Sequence, residues 1–289
     1  MKKIGIITYH GEPNLSDDDK LLIKPIQDRG FQVQPVLWDS KADWKEFDVL
    51  VIRSCWDYHL RVDEFLRWLD QLDKLGVTVW NPTKILRWNH KKSYLKELAK
   101  QGIDVIETIW LEKNSSMSLP NILTENNWEK AVVKPPIGAS AHSVFLIDRT
   151  NAKEMQSEID ELLTQSELMV QPFIKEIQTE GELSIIFIGR EYSHSVVKSP
   201  KENDFRSNYF GNAVKLAHPS EEIIQQAKKV YDTIESPLLF ARIDGINVNG
   251  NLKLMEFELI EPYLFFGLYP GAAEKFADAL EKLVSPYAS

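Results

Sequence analysis

Over the first 85 residues, short runs of aliphatic and β-branched residues alternate with amphipathic stretches. That is the pattern of a parallel sheet wound by crossover helices. Residues 4–9, 31–37, 48–52 and 77–80 predict four strands, the third almost wholly apolar, as for a strand covered on both faces. Ser16 before Asp17, Asp18 and Asp19 predicts a helix N-cap with acids in the first turn, Leu21, Leu22 and Ile26 forming the buried stripe up to Gly30. Val62, Phe65, Leu66, Leu69 and Leu72 recur at helical spacing up to Gly76. Beyond Asn81-Pro82 the pattern predicts a helix over 91–101, a strand over 105–110 and a surface loop over 112–120. Strands at 131–134 and 143–147 flank a small, flexible connection, 135–142, that reads as a lid. A helix around Met155, Ile159, Leu162 and Leu163 follows, then strands at 168–171, 183–188 and 192–198. A helix over 221–234, strands at 238–248 and 252–258 and a last helix ending near Leu283 complete the chain. The class is α/β followed by α+β, divided into 1–85, 86–170 and 171–289.

Composition narrows the function. The 289 residues are 43% apolar, which suits folded domains with a cleft between them. Thirty-four Lys plus Arg against 43 Asp plus Glu leave a net charge of −9, the wrong sign for coating phosphate backbones, so no nucleic acid is expected. Cys55 is the single cysteine, which excludes an intramolecular disulfide and points to a reducing cytoplasm. No apolar run reaches 18 residues, so no membrane partner is expected. A homodimer stays open.

Ligands of open α/β sheets collect at the carboxyl ends of strands. Here the third strand runs into Arg53-Ser54-Cys55-Trp56-Asp57-Tyr58. This cluster either holds a substrate, or Trp56 and Tyr58 cover the sheet edge while Arg53 pairs with Asp57. The first turn lacks G-x-G-x-x-G, which argues against a dinucleotide. Further on, Asp244 precedes Glu256 and Glu258 across the turn Asn249-Gly250-Asn251. Alternation puts the two glutamates on one face of their strand, where Asp244 of the neighbouring strand can join them. Three converging carboxylates repel unless a divalent cation lies between them, and hard oxygen ligands select Mg²⁺ or Mn²⁺. Such a metal travels with phosphate, for which Lys92 and Lys134 are candidate partners, yet no P-loop motif occurs. The six histidines have no zinc-hydrolase spacing and the eight tryptophans are scattered.

The order Lys92, Lys134 before a Gly/Ser loop, Gln171-Pro-Phe-Ile, Asp204-Phe-Arg-Ser-Asn208, Arg242-Ile-Asp244 and Glu256-Phe-Glu258 resembles the ATP-grasp superfamily, most closely its glutathione synthetase and RimK-type branch. Trp56-Asp57-Tyr58, Trp88 and Glu258-Leu-Ile-Glu261-Pro262 are similar to a bacterial subgroup that includes the cyclo-ligase of cycloserine biosynthesis. The likeness covers roughly residues 85 to 285, and implies a Rossmann-like pre-ATP-grasp domain before a two-subdomain ATP-grasp fold. It implies ATP bound by Lys92, Lys134, Ser140, Gln171, Phe173, Ile174 and Glu182, and Mg²⁺, with Mn²⁺ as the alternative, on Asp244, Glu256 and Glu258. Arg206, Lys198 and Arg242 would stabilise the phosphoryl group in flight. The family commonly has Asn where Glu258 stands, so this metal cluster is more acidic than usual. Arg53, Trp56, Asp57, Tyr58, Asn208 and Glu261 are the candidate substrate residues, Arg53 and Arg206 suiting a carboxylate and Asp57 an ammonium.

The expected activity is ATP-dependent ligation of a small carboxylate and an amine through an acyl phosphate, with Asp244→Asn abolishing turnover while leaving the fold intact. An intramolecular cyclo-ligase, a nucleotide-binding regulatory protein without turnover, and a ligase with a peptide or protein acceptor are the competing readings.

Overall fold

The computed structural model describes residues 1–138, 144–200 and 213–284. The N-terminal unit contains β1 (Lys3–Thr8), α1 (Asp17–Lys20), α2 (Ile23–Asp28), β2 (Gln32–Leu37), β3 (Val49–Ile52), α3 (Val62–Leu75) and β4 (Thr78–Trp80). Its strands pair in parallel in the order β2-β1-β3-β4. Helix α3 ends on Gly76, whose φ of 69° is the left-handed turn that glycine adopts without strain.

The expected first helix is broken in two. Ser16 is the N-cap, its Oγ accepting from Asp19 N at 3.1 Å. Pro25, at the third position of α2, has no N–H to continue a ladder from α1. Leu21 consequently turns outward and is 45% exposed instead of joining Leu22 and Ile26 in the core. Asp18 and Asp19 are themselves buried, because both have partners across the molecule: Asp18 accepts from Gly267 N at 3.1 Å, and Asp19 meets Arg53 and Ser54.

Next come α4 (Thr83–Asn89), α5 (Tyr94–Lys100), β5 (Ile109–Leu111), α6 (Leu119–Glu125), β6 (Lys130–Lys134), β7 (Phe145–Asp148), α7 (Ala152–Gln165) and β8 (Leu168–Pro172). Strands β5-β8-β6-β7 form an antiparallel sheet over the apolar faces of α6 and α7. Helices α4 and α6 lie where the sequence pattern predicted none, and residues 105–108 are extended but join only as an isolated bridge, Val105 to Leu254.

Strands β9 (Glu182–Ile188), β10 (Glu191–Ser199), β11 (Ala213–Ala217), β12 (Phe240–Val248) and β13 (Asn251–Glu258) form an antiparallel sheet in the order β11-β10-β9-β12-β13, with α8 (Glu176–Thr179), α9 (Glu221–Tyr231) and α10 (Ala272–Val284) around it. Odd-numbered Ile185, Phe187, Ala241, Ile243 and Phe257 pack on α5 and α9. Even-numbered Ile186, Ile188 and Phe240 of the opposite face pack with Ile4, Ile6, Val49 and Val51 of the N-terminal sheet and with α10. Farther along that same even face, alternation brings up charge where it had brought up isoleucine.

As the edge strand, β13 and the residue after it would leave backbone groups unpaired. Leu254 is paired by Asp104 O (2.8 Å) and Ile106 N (3.1 Å). Tyr94 Oη accepts from Phe257 N, while Asn89 donates to Phe257 O and accepts from Leu259 N, standing in for a neighbouring strand. Asn81, fully buried after β4, donates to Leu259 O and Phe240 O (both 2.9 Å) and accepts from Leu239 N (2.8 Å).

Candidate active site

The charged face is set by register. Asp244 lies opposite Glu256 on one side and Ser184 on the other, Arg242 opposite Glu258, and Lys198 opposite Glu182. The hairpin begins with Val248 opposite Asn251 and keeps that count to Gly245 opposite Leu254, which, continued, would set Asp244 against Met255. Both glutamates would then lie on the wrong face. A bulge inserts Met255 and corrects the phase. Gly245 permits it, since a Cβ there would come within 2.7 Å of Lys253 O. Met255 joins Ile106, Ile177, Ile246, Phe173 and Ile174 in a separate apolar cluster.

The oxygens of Asp244, Glu256 and Glu258 come within 4.8 Å of one another. Arg242 donates to both oxygens of Asp244, at 2.9 to 3.1 Å, to Glu258 at 2.5 Å and to Tyr263 O at 3.0 Å. Ser184 donates to Asp244 at 2.5 Å, and Lys198 lies 3.7 Å from it while bonding Glu182. Lys92 and Lys134 each sit 3.6 Å from Glu256. Lys92 is fixed by its backbone N–H to Pro136 O (2.8 Å) and its Nζ to Gly138 O (3.2 Å), which ties it to the strand-end loop carrying Lys134.

Four cations thus hold four carboxylates. Burial would raise Asp244, but Arg242 and Lys198 outweigh it and bring the carboxyl down to about 2. Glu256 is also lowered, burial being overcome by Lys92 and Lys134. Glu258 goes the other way, up to about 8: burial dominates, and the neighbouring Asp244 and Glu256 add to it against Arg242. A buried carboxyl crowded by like charge is what a divalent cation would relieve, and an all-oxygen donor set fits Mg²⁺ or Mn²⁺. Burial pulls the Lys134 ammonium down, against Glu256.

Gln171 is buried on β8, donating to Thr108 Oγ1 at 2.9 Å, and Phe173 N is held by Lys130 O. Ser140, Arg206 and Asn208 lie outside the described residues, as does His142 in the expected lid. The Arg53–Asp57 pairing fails on geometry. Arg53, 1% exposed, pairs with Asp19 at 2.9 Å instead of Asp57, donates to Pro262 O and faces the rings of Phe240 and Phe266, so it braces the interface between sheets, with its Nη1 buried and without a hydrogen-bond partner among the described residues. Asp57 accepts from Trp38 Nε1 (2.8 Å) and Arg61 (2.5 Å). Arg53→Met is expected to lower the unfolding free energy by about 3 kcal/mol, because Asp19 stays buried without its charge partner. Thermal melts alongside substrate KM check this: an unchanged melt with a raised KM would return Arg53 to the cleft.

Trp56 and Tyr58 do face the junction. Trp56 Nε1 donates to Glu261 O (2.9 Å) and its ring stacks on Tyr263. Tyr58 packs on Phe65, and Glu261 and Glu258 add to the burial that raises its hydroxyl. Glu261 is itself pushed up to about 7 by burial, against Lys92 and Arg242. Ser184, Asn81, Asn89, Tyr94 and Met255 were missed from sequence. Asn89 and Tyr94, flanking Lys92, and Met255, beside Glu256, sat near enough to a motif to be noticed.

Comparison with known proteins agrees with this geometry. Residues 111–264 match the family described as "Prokaryotic glutathione synthetase, ATP-grasp domain", and residues 4–81 match "D-cycloserine synthetase DcsG, N-terminal domain". The chain is 26% identical over 263 residues to the cycloserine biosynthesis protein DcsG of Streptomyces lavendulae, covering 86% of this chain and 87% of that one. It superposes on the crystal structure of D-cycloserine synthetase DcsG with a TM-score of 0.84 at 23% identity, covering 98% and 99% of the two chains. On D-alanine–D-alanine ligase from Bacillus anthracis the TM-score is 0.69 at 17% identity, with 99% and 98% covered. No helix among the described residues is long and apolar enough to cross a membrane. With the glutathione-synthetase profile spanning more than half its length, the chain belongs to the ATP-grasp family and is an ATP-dependent ligase.

Proposed function

We propose that the protein joins a small, amino-acid-like carboxylate to an amine, ATP first converting the carboxylate to an acyl phosphate that the amine displaces. The observation that carries this reading is the single sheet face on which Lys198, Arg242 and three clustered carboxylates meet Lys92 and Lys134 from the neighbouring elements. Phosphoryl transfer requires little more of a protein than positioning and charge neutralisation, and this array supplies both. Asp244, Glu256 and Glu258 would hold Mg²⁺, which when bound neutralises phosphate charge. Lys92 and Lys134, now on Glu256, would turn to the nucleotide phosphates. Lys198 and Arg242, with Arg206, would face the transferred group. The apolar cluster around Phe173, Ile174 and Met255, with Gln171 close by, suits an adenine ring, and Glu182 the ribose.

The match of residues 4–81 to the cycloserine synthetase N-terminal domain favours one second reading, in which nucleophile and carboxylate belong to one molecule and the product is a ring. The packing of α4 and α5 on the five-stranded sheet supports grouping them with the C-terminal subdomain. A single buried cysteine suits a cytoplasmic location.

Mg²⁺ with a non-hydrolysable ATP analogue at 100 times its Kd should add about 2.7 kcal/mol of stability, roughly 5 °C in the melting midpoint. A shift of that size that requires the metal supports the site. An unchanged midpoint at saturating nucleotide would remove ATP from this cleft and the proposal with it.

A further inference from the structure

The end of the five-stranded sheet remote from the clustered carboxylates holds a groove of about 310 Å³. Its walls are the turn from β9 into β10 around Arg190, the entry to β12 at Leu238, and one stripe of α10. β9 begins at Glu182, which bonds Lys198, and ends at Ile188 in the groove, so about 20 Å of extended strand separates the two places. The turn is tied down on both sides: Gly189 N–H donates to Leu239 O (2.7 Å), and Gly189 O accepts from Tyr231 Oη (2.6 Å).

Charge is sorted around this groove. α10 carries Glu274, Asp278 and Glu281 beside Lys275 and Lys282, and Asp278 stands three and four residues from the two lysines, the spacing at which helical ion pairs form. Neither pair is made. Arg29, at the end of α2, draws off the acids instead, meeting Glu274 at 3.0 Å, Asp278 at 2.5 Å and Glu281 at 4.0 Å. Lys275 and Lys282 are left facing the groove without an acidic partner among the described residues, Lys275 standing 5.5 Å over the Tyr269 ring. From the opposite wall Arg190 donates to Glu235 O at 3.3 Å and meets no carboxylate among the described residues. Three cations therefore border the groove. Of its two acids Asp278 is already neutralised, which leaves Glu191 alone against them. Between the charges the surface is apolar, formed by Ile188, Leu238, Ala279 and Leu283. In a chain of net charge −9 this is a local reversal of sign.

We propose that the groove is a second ligand site, separate from the ligase centre, and that it takes a small monocarboxylate with an apolar tail. The carboxylate lies among Lys275, Lys282 and Arg190, whose planar fork matches its two oxygens, and the tail lies on Leu238, Ala279 and Leu283. A bare anion leaves the apolar floor wet, and an uncharged tail leaves the cations unanswered.

The test is calorimetric titration of the full chain with hexanoate, using hexanamide as the same tail without charge and inorganic phosphate as charge without a tail. Hexanoate should bind once per chain. Its affinity should fall at least about tenfold in Lys275→Glu/Lys282→Glu, and by a similar factor on raising salt to about 1 M, because all three cations are solvent-exposed. Ala279→Phe, which fills the floor and keeps every charge, should weaken it as much. Both variants are melted alongside wild type; the two lysines make no ion pair among the described residues, so the charge-reversed protein should keep the wild-type midpoint and read out the groove alone. Saturating Mg²⁺ with a non-hydrolysable ATP analogue should leave hexanoate affinity within about twofold. Competition between the two would put hexanoate in the catalytic cleft and overturn the proposal. Hexanamide or phosphate binding as tightly as hexanoate, an affinity unchanged in the charge-reversed protein, or no saturable signal would each overturn it as well.

Discussion

Asp244→Asn is expected to cut ADP release about 10³-fold, the loss of roughly 4 kcal/mol of transition-state stabilisation that removing one well-placed charged contact brings. The same change should also weaken the fold, contrary to what the sequence suggested. Asp244 is 1% exposed and is the shared partner of Arg242, Ser184 and Lys198, so asparagine leaves two buried cations short of charge. Breaking such a network costs about 3–5 kcal/mol. Because the folded carboxyl is held at about 2, below its unfolded value, its contribution is fully present above about pH 4 and is lost as the pH falls through about 2. Turnover should be measured well below the variant's own melting midpoint. Activity within tenfold of wild type there would remove Asp244 from the metal site, and an unshifted midpoint would show that Arg242 and Lys198 find other partners.

The second large effect is on stability alone. Asn81→Ala should lower the unfolding free energy by about 4 kcal/mol, since it orphans the carbonyls of Phe240 and Leu259 and the amide of Leu239, each worth about 1–3 kcal/mol when buried. Denaturant titration reads this directly. A loss below about 1 kcal/mol would mean that water enters and replaces the side chain. The effect should be felt in β13, because Leu259 follows Glu258 immediately.

Local regularity was what the sequence carried well. The parallel N-terminal sheet, α3, α9 and the β12–β13 hairpin follow from periodicities of 2 and 3.6 within single segments. The three clustered carboxylates were legible as a group, but not the reason they meet. Strict alternation from the turn would have separated Asp244 from Glu256 and Glu258, and nothing in the string Leu252-Lys-Leu-Met-Glu marks Met255 as the extra residue. The pairing of Arg53 with Asp57 was misread because Asp19 and Pro262, the partners of Arg53, are remote in sequence, while Asp57 is held by Trp38 and by Arg61, four residues on. A charged residue at a strand end looks the same in sequence whether it waits for a ligand or braces a second sheet. Asn81 and Asn89 were passed over because an amide that replaces a strand shows only once both strand and amide are placed.

That replacement also bears on how the chain behaves when it is not fully folded. Among the described residues β13 has no sixth strand beside it; residues 104–106, Tyr94, Asn89 and Asn81 occupy its outer row of amides and carbonyls. If α4 and α5 come away, the groups of Phe257 and Leu259 that Tyr94 and Asn89 cover are bared, which is a template for strand-by-strand addition of another molecule. The strand that bears Glu256 and Glu258 is then also a segment prone to aggregate. The two helices act as a built-in guard on solubility, one that the folding chain must set in place before its ligase site is safe to expose.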